Sequence, residues 1–170
     1  TKILQLASMA IVLLSFGLAQ PFKVTDATGR EVEIRSTERI VSLGGSITEL
    51  LYRFGLGDRI VARDTTSYIP IEAMRKPDVG LLFRLNAEPI LALRPTLILA
   101  TAEAGPPPVI AQIRQAGVTV VLVPDEATTE GVKIKIRTVA QAVGQVQRGE
   151  DLVRGLERDM LTLQSKISQA

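Results

Sequence analysis

The sequence predicts an α/β fold in which a parallel sheet is covered by helices on both faces. Residues 96–100 and 118–123 are almost wholly aliphatic, which is typical of strands that are buried on both sides. Segments that can form amphipathic helices alternate with these strands along the chain. Alternating strands and helices pair into a parallel sheet with right-handed crossovers, and the helices supply the cover on each face.

Ten elements are predicted after position 20, each from a local pattern. Alternating polarity around Gly29 indicates a hairpin, and Asn86 is a typical residue for capping the start of a helix. Ser46 and Glu49 have the spacing of a capping box, a reciprocal pair of hydrogen bonds that begins a helix. The elements are a hairpin at 22–34, strands at 39–43, 60–62, 96–100 and 118–123, helices at 46–54, 70–74, 86–93 and 106–116, and a long helical region from 128.

The chain follows a helical pattern from Thr128 to Gln169, with a break at 144–149. Apolar residues recur at helical spacing on both sides of the break, and the charged residues between them form a solvated face. An amphipathic helix with no further element to cover it indicates that something is missing. We therefore expect a Rossmann-like three-layer α/β lobe over 21–127, followed by a helical region over 128–170 that includes one long helix.

Residues 1–20 have the pattern of a secretory signal peptide. Lys2 precedes an uncharged run that ends in small residues at Ala19. The run of about 17 residues is short for a helix that crosses a membrane, which needs about 20. A retained membrane anchor and a buried helix are the alternatives. A signal peptide predicts export, and we expect the protein in the periplasm.

Composition limits the chemistry that this chain of 170 residues can perform. It has no Cys and no His, which excludes thiol nucleophiles, zinc fingers and histidine-based catalysis. A net charge of +2 is too small to indicate nucleic acid as a partner. An apolar fraction of 46% with aromatics at 4% fits one compact domain with an aliphatic core. We expect a binding protein that is not an enzyme.

The candidate binding residues lie in loops that follow the predicted strands. Gly44, Gly45 and Ser46 connect a strand to a helix, where free backbone N–H groups favour an anion. A tight turn before a capped helix is the alternative. The loop from Arg63 to Tyr68 follows the next strand, at the end of the strand where open α/β sheets bind their ligands.

Tyr68 is the candidate metal donor. Tyr52 falls within an apolar helix and is expected in the core, whereas Tyr68 lies in a polar loop that needs no aromatic residue for packing. A tyrosinate coordinates ferric iron, and the chain has no His or Cys for this purpose. The alternative is a surface aromatic on a turn. Arg84 could bind a ligand carboxylate or only cover apolar surface, and Glu88 could contact a partner or only favour the start of a helix.

Five segments, taken in order, resemble those of one family. They are 39–50, 58–67, 77–80, 85–96 and 115–118. The series is similar to the periplasmic hemin-binding proteins of bacterial ABC transporters, within the class that binds cobalamin and siderophores, and it extends over residues 22–168. The resemblance implies two α/β lobes joined by one long helix. This sequence has the amino-terminal lobe and the helix, and we expect the second lobe to be absent.

The resemblance also implies roles for individual residues. Tyr68 is the expected axial ligand of the hemin iron, although it lies one residue earlier, relative to Pro70, than the axial tyrosine of many such proteins. Glu88 corresponds to the carboxylate that meets an arginine of the permease. Arg63 or Arg84 is expected near the porphyrin carboxylates. The residues expected to bind the ligand are Gly45, Ser46, Arg63, Thr66, Ser67, Tyr68 and Arg84.

The sequence thus predicts a protein that binds hemin in the periplasm and delivers it to an ABC-type importer through the permease. Two copies could pair through the open cleft face and the long helix. The alternatives are a non-transporting remnant, a module that only contacts the permease, and a protein that binds ferric siderophore or cobalamin.

Overall fold

The computed structural model describes residues 21–169, so the predicted signal peptide lies outside the described residues. The described chain begins with an antiparallel hairpin of β1 (Phe22–Thr25) and β2 (Glu31–Ile34). Gly29 lies in the turn with a φ of 78°, a value that glycine adopts without strain. The predicted hairpin is confirmed.

The remainder of the described chain alternates strands with helices, as the sequence predicts. The elements are β3 (Ile40–Leu43), α1 (Gly45–Arg53), a 3-10 helix (Gly57–Arg59), β4 (Ile60–Arg63), a second 3-10 helix (Ile71–Arg75), α2 (Ala87–Ala92), β5 (Leu97–Thr101), α3 (Pro107–Gln115), β6 (Thr119–Val123), α4 (Thr129–Ala142) and α5 (Val146–Ser168). The strands after the hairpin form one parallel sheet in the order β4-β3-β5-β6. The predicted α/β class and the long final helix are confirmed.

The sheet separates two apolar layers, because successive residues of a strand point to opposite faces. Ile40 and Leu97 belong to the layer that α1, α4 and the hairpin cover. Val41 and Ile98, their neighbours in the chain, belong to the layer that α2 and α3 cover. All four side chains are completely buried. The continuous aliphatic pattern of β5 therefore reflects contact with helices on both sides.

Helix α5 packs against α4 with its first half only. The two helices approach closely at Gly149, where an added Cβ would lie 2.5 Å from the Cβ of Ala140. In the second half of α5 the apolar side chains are exposed: Leu161 by 67%, Leu163 by 59% and Ile167 by 76%. The final helix therefore carries an apolar surface that the described residues do not cover.

Gly144, with a φ of 68°, lies between α4 and α5, so the predicted break is present, but it is shorter than the predicted 144–149 because α5 already begins at Val146. Arg137 and Glu150 then join the two helices by two hydrogen bonds of 2.8 and 3.1 Å. Among residues 21–169, none of the helices combines the length and the apolar character needed to cross a membrane.

The capping box predicted at Ser46 is wrong. Helix α1 begins at Gly45, the residue before it is Gly44, and no side chain caps the helix. Ser46 falls inside the first turn, where its hydroxyl accepts a hydrogen bond from Nζ of Lys135 at 3.1 Å. The helix begins earlier than predicted because the chain turns at Gly44 with a φ of 127°, which L residues rarely adopt.

We expect Gly44→Ala to lower the free energy of unfolding by roughly 2–5 kcal/mol, because it combines an unfavourable backbone conformation with steric overlap. An added Cβ would lie 2.7 Å from Cγ2 of Thr101. Gly80→Ala is the matched control, since Gly80 has a φ of 93° and nothing lies within 4 Å of its added Cβ. The control should cost only about 1–2 kcal/mol. Urea denaturation measures both losses, and equal losses would contradict a steric role for Thr101.

Candidate functional site

The candidate site is the edge of the sheet at which the four parallel strands end. The loop 64–70 follows β4, and the N–H of Thr65 donates to the carbonyl of Gly80 at 2.9 Å. The loop after β5 joins the same group, because the N–H of Gly105 donates to the carbonyl of Leu82 at 2.8 Å. Backbone hydrogen bonds thus hold three loops side by side where open α/β sheets bind ligands.

Exposed apolar side chains are concentrated in the two segments that these bonds join. Tyr68 is 59% exposed and Phe83 is 56% exposed. The group, called the apolar rim below, consists of Tyr68, Ile69, Ile71, Met74, Leu81 and Phe83. Exposed apolar surface rimmed by polar residues is typical of binding sites.

The two tyrosines have the contrasting environments that the sequence predicts. Tyr52 is half-buried and packs against the core, and burial together with the nearby carboxylates Glu72 and Asp58 raises the pKa of its phenol. Tyr68 is exposed, and its backbone N–H donates to the carbonyl of Thr66 at 3.2 Å. The structure therefore brings the Tyr68 phenol to the candidate site, and its role as an iron ligand stays a prediction.

Asp64 is an important residue of this edge that sequence reasoning missed. It is completely buried at the end of β4, and its Oδ1 accepts the N–H of Gly44 at 2.9 Å. The sequence predicts that backbone N–H groups at the turn from Gly44 to Ser46 bind an anion. The N–H of Gly44 does bond to an anionic group, but that group is the carboxylate of Asp64 in the same chain. An Asp followed by Thr-Thr-Ser is typical of a loop held by side-chain to backbone hydrogen bonds, and this signal could have identified it.

Thr66, Ser67 and Gly45, three of the predicted ligand-binding residues, lie around Asp64. Ser67 is completely buried, and its hydroxyl donates to Oδ1 of Asp64 at 2.5 Å. Thr66 is exposed, and its hydroxyl donates to Oδ2 at 2.5 Å. Gly45 is half-buried, and its missing Cβ would lie 3.1 Å from the carbonyl oxygen of Thr66. The structure does not bring Ser67 to the exposed surface, and only Thr66 of the two hydroxyl residues reaches it.

Arg63 is also turned inward. It is only 8% exposed, and its Nη1 donates to Oδ2 of Asp78 at 2.8 Å and to the carbonyl of Asp64 at 3.0 Å. Its Nε is the one buried side-chain nitrogen or oxygen of the described chain that has no hydrogen-bond partner. The guanidinium therefore joins the end of β4 to the segment that holds Asp78, and the structure does not place it on the exposed surface.

Arg84 and Ser46 are exposed at this edge, and so is Glu88. Arg84 follows Phe83 of the apolar rim, and its N–H closes a turn on the carbonyl of Leu81 at 2.9 Å. Asn86 accepts the N–H of Glu88 at 3.1 Å, which confirms the predicted cap of α2. The docking role of Glu88 and the ligand contact of Arg84 stay predictions.

At this site the pKa of the Asp78 carboxyl differs from its ordinary value. Burial would raise the pKa of its carboxyl, but the N–H of Gly80, the hydroxyl of Thr65 and the charge of Arg63 outweigh this effect. The pKa of Asp78 therefore lies below its ordinary value of 3.8. Within residues 21–169, no three carboxylates come together as a group that could hold a metal ion.

A parallel lobe with exposed apolar and charged side chains at its carboxyl edge has the arrangement at which open α/β sheets bind their ligands. The chain matches the family described as periplasmic binding protein over residues 40–170. This match extends over more than half of the sequence, so the chain belongs to the periplasmic binding protein family. The predicted family is confirmed.

Its relatives differ in the ligand that their names give. An uncharacterized ABC transporter substrate-binding lipoprotein of Bacillus subtilis, YvrC, is 32% identical over 149 residues, which are 86% of this chain and 47% of that protein. The vitamin B12-binding protein of Vibrio cholerae is 41% identical over 83 residues, which are 49% of this chain and 30% of that protein. The structure of the periplasmic heme-binding protein RhuT from Roseiflexus sp. RS-1, without ligand, has 40% sequence identity and a TM-score of 0.74. The alignment covers 79% of this chain and 52% of RhuT. The chain thus spans about half the length, or less, of these relatives.

Asp78 should make the stability of the protein depend on pH in the acid range. Its folded pKa is lowered, so its contribution is complete above the ordinary pKa of 3.8 and is lost as the pH falls through the lowered value. Asp78→Asn should therefore reduce stability at pH 7 and flatten the loss below pH 4, by no more than about 1 kcal/mol because the side chain is partly exposed. Thermal unfolding between pH 7 and pH 2.5 measures this.

Asp58→Asn, which removes an exposed carboxylate from the 3-10 helix Gly57–Arg59, controls for the loss of one negative charge. The two variants should differ in the slope of stability against pH. Parallel curves for both variants would contradict a specific role for the hydrogen bonds of Asp78.

Proposed function

We propose that this protein binds hemin at the carboxyl edge of its sheet, with the phenolic oxygen of Tyr68 as an axial ligand of the ferric iron. The observation that carries the proposal is the exposure of Tyr68 on a loop after β4, while Tyr52 packs against the core. A tyrosinate is an established ligand of heme iron. The chain has no His, Cys or further Tyr that could take this role.

The surroundings of Tyr68 suit the rest of the hemin molecule. Hemin is a flat, largely apolar macrocycle with two carboxylates at one margin, and it requires apolar contacts together with a cation. The apolar rim offers the apolar contacts. Arg84, next to Phe83, offers an exposed guanidinium, whose planar donors fit a carboxylate. Ser46 and Thr66 add hydroxyl side chains at exposed positions, and Gly45 lets the backbone lie close to the carbonyl of Thr66.

The preference for hemin over the corrinoid rests on the chemistry of the site, because the proteins similar to this chain include some named for heme and some named for vitamin B12. A cobalamin carries amides where hemin carries propionates, so it has no carboxylates to pair with Arg84. Ferric siderophore and cobalamin remain the alternatives that a ligand titration must compare with hemin.

The remaining parts of the proposal concern delivery. We propose that the protein acts in the periplasm as a binding protein and not as an enzyme, and that it passes hemin to the permease of an ABC-type importer. Glu88, exposed in the first turn of α2, is the proposed docking carboxylate. Pairing of two copies through the candidate site and α5 also stays a proposal, and the exposed Leu163 and Ile167 of that helix are its support. A remnant that folds but does not bind hemin is the rival.

Tyr68→Phe should abolish the tyrosinate-to-iron charge-transfer band and weaken hemin binding by at least roughly tenfold, or about 1.4 kcal/mol. The variant loses the coordinating oxygen but keeps the ring of the apolar rim. Titration of hemin into protein, followed by visible absorption and by tyrosine fluorescence, measures both quantities. Tyr52→Phe is the control and should bind like the parent protein. An unchanged band in Tyr68→Phe would exclude Tyr68 as the ligand, and weak, unsaturable binding by the parent would favour the remnant.

Arg84→Gln should weaken the binding of hemin by roughly ten- to a hundredfold, because one charged hydrogen-bonded contact contributes about 1.5–3 kcal/mol. Binding of cobalamin should not change, since cobalamin has no propionates. Arg158→Gln, at an exposed position of α5, is the matched control. Competition between the two ligands on each variant measures the selectivity. Equal weakening of both ligands would show that Arg84 supports the fold of the site and does not select a charge.

A further inference from the structure

Four completely buried polar side chains lie directly beneath the loop that carries Tyr68. The group, called the Asp64 cluster below, consists of Ser42, Thr48, Asp64 and Ser67, each with an exposure of 0%. None of the four can touch a bound ligand while it remains buried. Any effect of this cluster on binding must therefore act through the loop above it.

The carboxylate of Asp64 uses both oxygens to tie the loop to the start of α1. Its Oδ1 accepts the N–H of Gly44 at 2.9 Å and the hydroxyl of Ser67 at 2.5 Å. Its Oδ2 accepts the N–H and the hydroxyl of Thr66 at 3.0 and 2.5 Å. Four donors thus converge on the two oxygens of one carboxylate. The residues immediately before Tyr68 are thus held by one buried carboxylate.

The three hydroxyls of the cluster have an order that the carboxylate imposes. Ser67 donates its only hydroxyl proton to Asp64, so its oxygen is free to accept. Thr48 donates to Ser67 at 2.8 Å, and Ser42 must then donate to Thr48 across a distance of 2.6 Å. The chain of hydrogen bonds runs from Ser42 of β3 through Thr48 of α1 to Ser67 of the loop, and each hydroxyl donates in the direction of Asp64. In Asp64→Asn, the amide nitrogen would take the place of one carboxylate oxygen. Because this nitrogen is a donor, it would face two donors that now bond to that oxygen, and those two hydrogen bonds would be lost.

The backbone of the same loop is held on its other side as well. The N–H of Ser67 donates to the carbonyl of Asp64 at 3.1 Å, and the N–H of Tyr68 donates to the carbonyl of Thr66 at 3.2 Å. Thr65 donates its hydroxyl to Oδ1 of Asp78 at 3.0 Å. Tyr68 is therefore an exposed side chain on a backbone that has little freedom, although its own ring is not packed.

We infer that Asp64 is a positioning residue of the proposed site: through Ser67 and Thr66 it fixes the loop from which Tyr68 reaches the ligand. The inference rests on the proposed function, because it assigns the rigidity of this loop to hemin binding. A preorganised donor loses less conformational entropy when it binds, so Asp64 should raise hemin affinity without contacting hemin.

The test uses the full chain with Tyr52→Phe, in which Tyr68 is the only tyrosine and no Trp interferes with its fluorescence. Into this background we would introduce Asp64→Asn and, separately, Ser67→Ala, which removes one donor and is the milder change. Steady-state anisotropy of Tyr68 without ligand should fall in both variants, and hemin affinity should fall by roughly tenfold or more, the worth of one or two hydrogen bonds. Thr138→Val is the matched control. It removes a buried hydroxyl of α4, bonded to the carbonyl of Ile134, and should change neither anisotropy nor affinity.

Anisotropy and affinity at parental values in a folded Ser67→Ala or Asp64→Asn variant would overturn the inference. The inference would also be overturned if Thr138→Val lowered anisotropy and affinity as much as Ser67→Ala and Asp64→Asn do, because the effect would then reflect general stability. If Asp64→Asn does not fold, the Ser67→Ala variant decides. Failure of the parent to bind hemin would overturn the proposed function, whereas the anisotropy, which is measured without hemin, shows independently whether Asp64 holds the loop.

Discussion

The position of every candidate binding residue depends on the parallel pairing of β4, β3, β5 and β6. Parallel strands end at one edge of their sheet, so the loops that follow them become neighbours although they are far apart in the sequence. Burial of aliphatic side chains on both faces stabilises the pairing. The exposed loops at the edge then join each other through backbone hydrogen bonds, as Leu82 and Gly105 show.

Charged groups at this edge divide into those that hold the loops and those that remain exposed. Asp64 and the pair of Arg63 with Asp78 are used within the protein, where each joins two segments of chain. Placing a charge in the interior is costly unless it is paired, and each of these groups has fixed partners, although Nε of Arg63 has none. Arg84 has no such partner within the described chain, which is why we propose it as a cation for the carboxylates of a ligand.

Family and ligand are determined at different places in this chain. The sheet and its covering helices are common to relatives whose names specify heme and to relatives whose names specify vitamin B12. A ligand meets only the exposed side chains of the loops, and there the proposal rests on Tyr68 and Arg84, which suit an iron porphyrin with carboxylates better than a corrinoid with amides. The fold therefore supports a binding protein, and two side chains carry the proposal of hemin.

The sequence by itself determined the order and type of the elements, because their signals are local. Gly29 marks the hairpin, Asn86 caps α2, and Gly144 separates the last two helices. Tertiary structure alone decided which polar residues are exposed at the carboxyl edge of the sheet. Arg63 ends β4, and Ser67 follows that strand just as Tyr68 does, but both are buried because Asp78 and Thr48, distant in the chain, bond to their side chains. The start of α1 was mispredicted for the same physical reason: Gly44 bonds to the carboxylate of Asp64, 20 residues away, and no neighbouring residue reveals this.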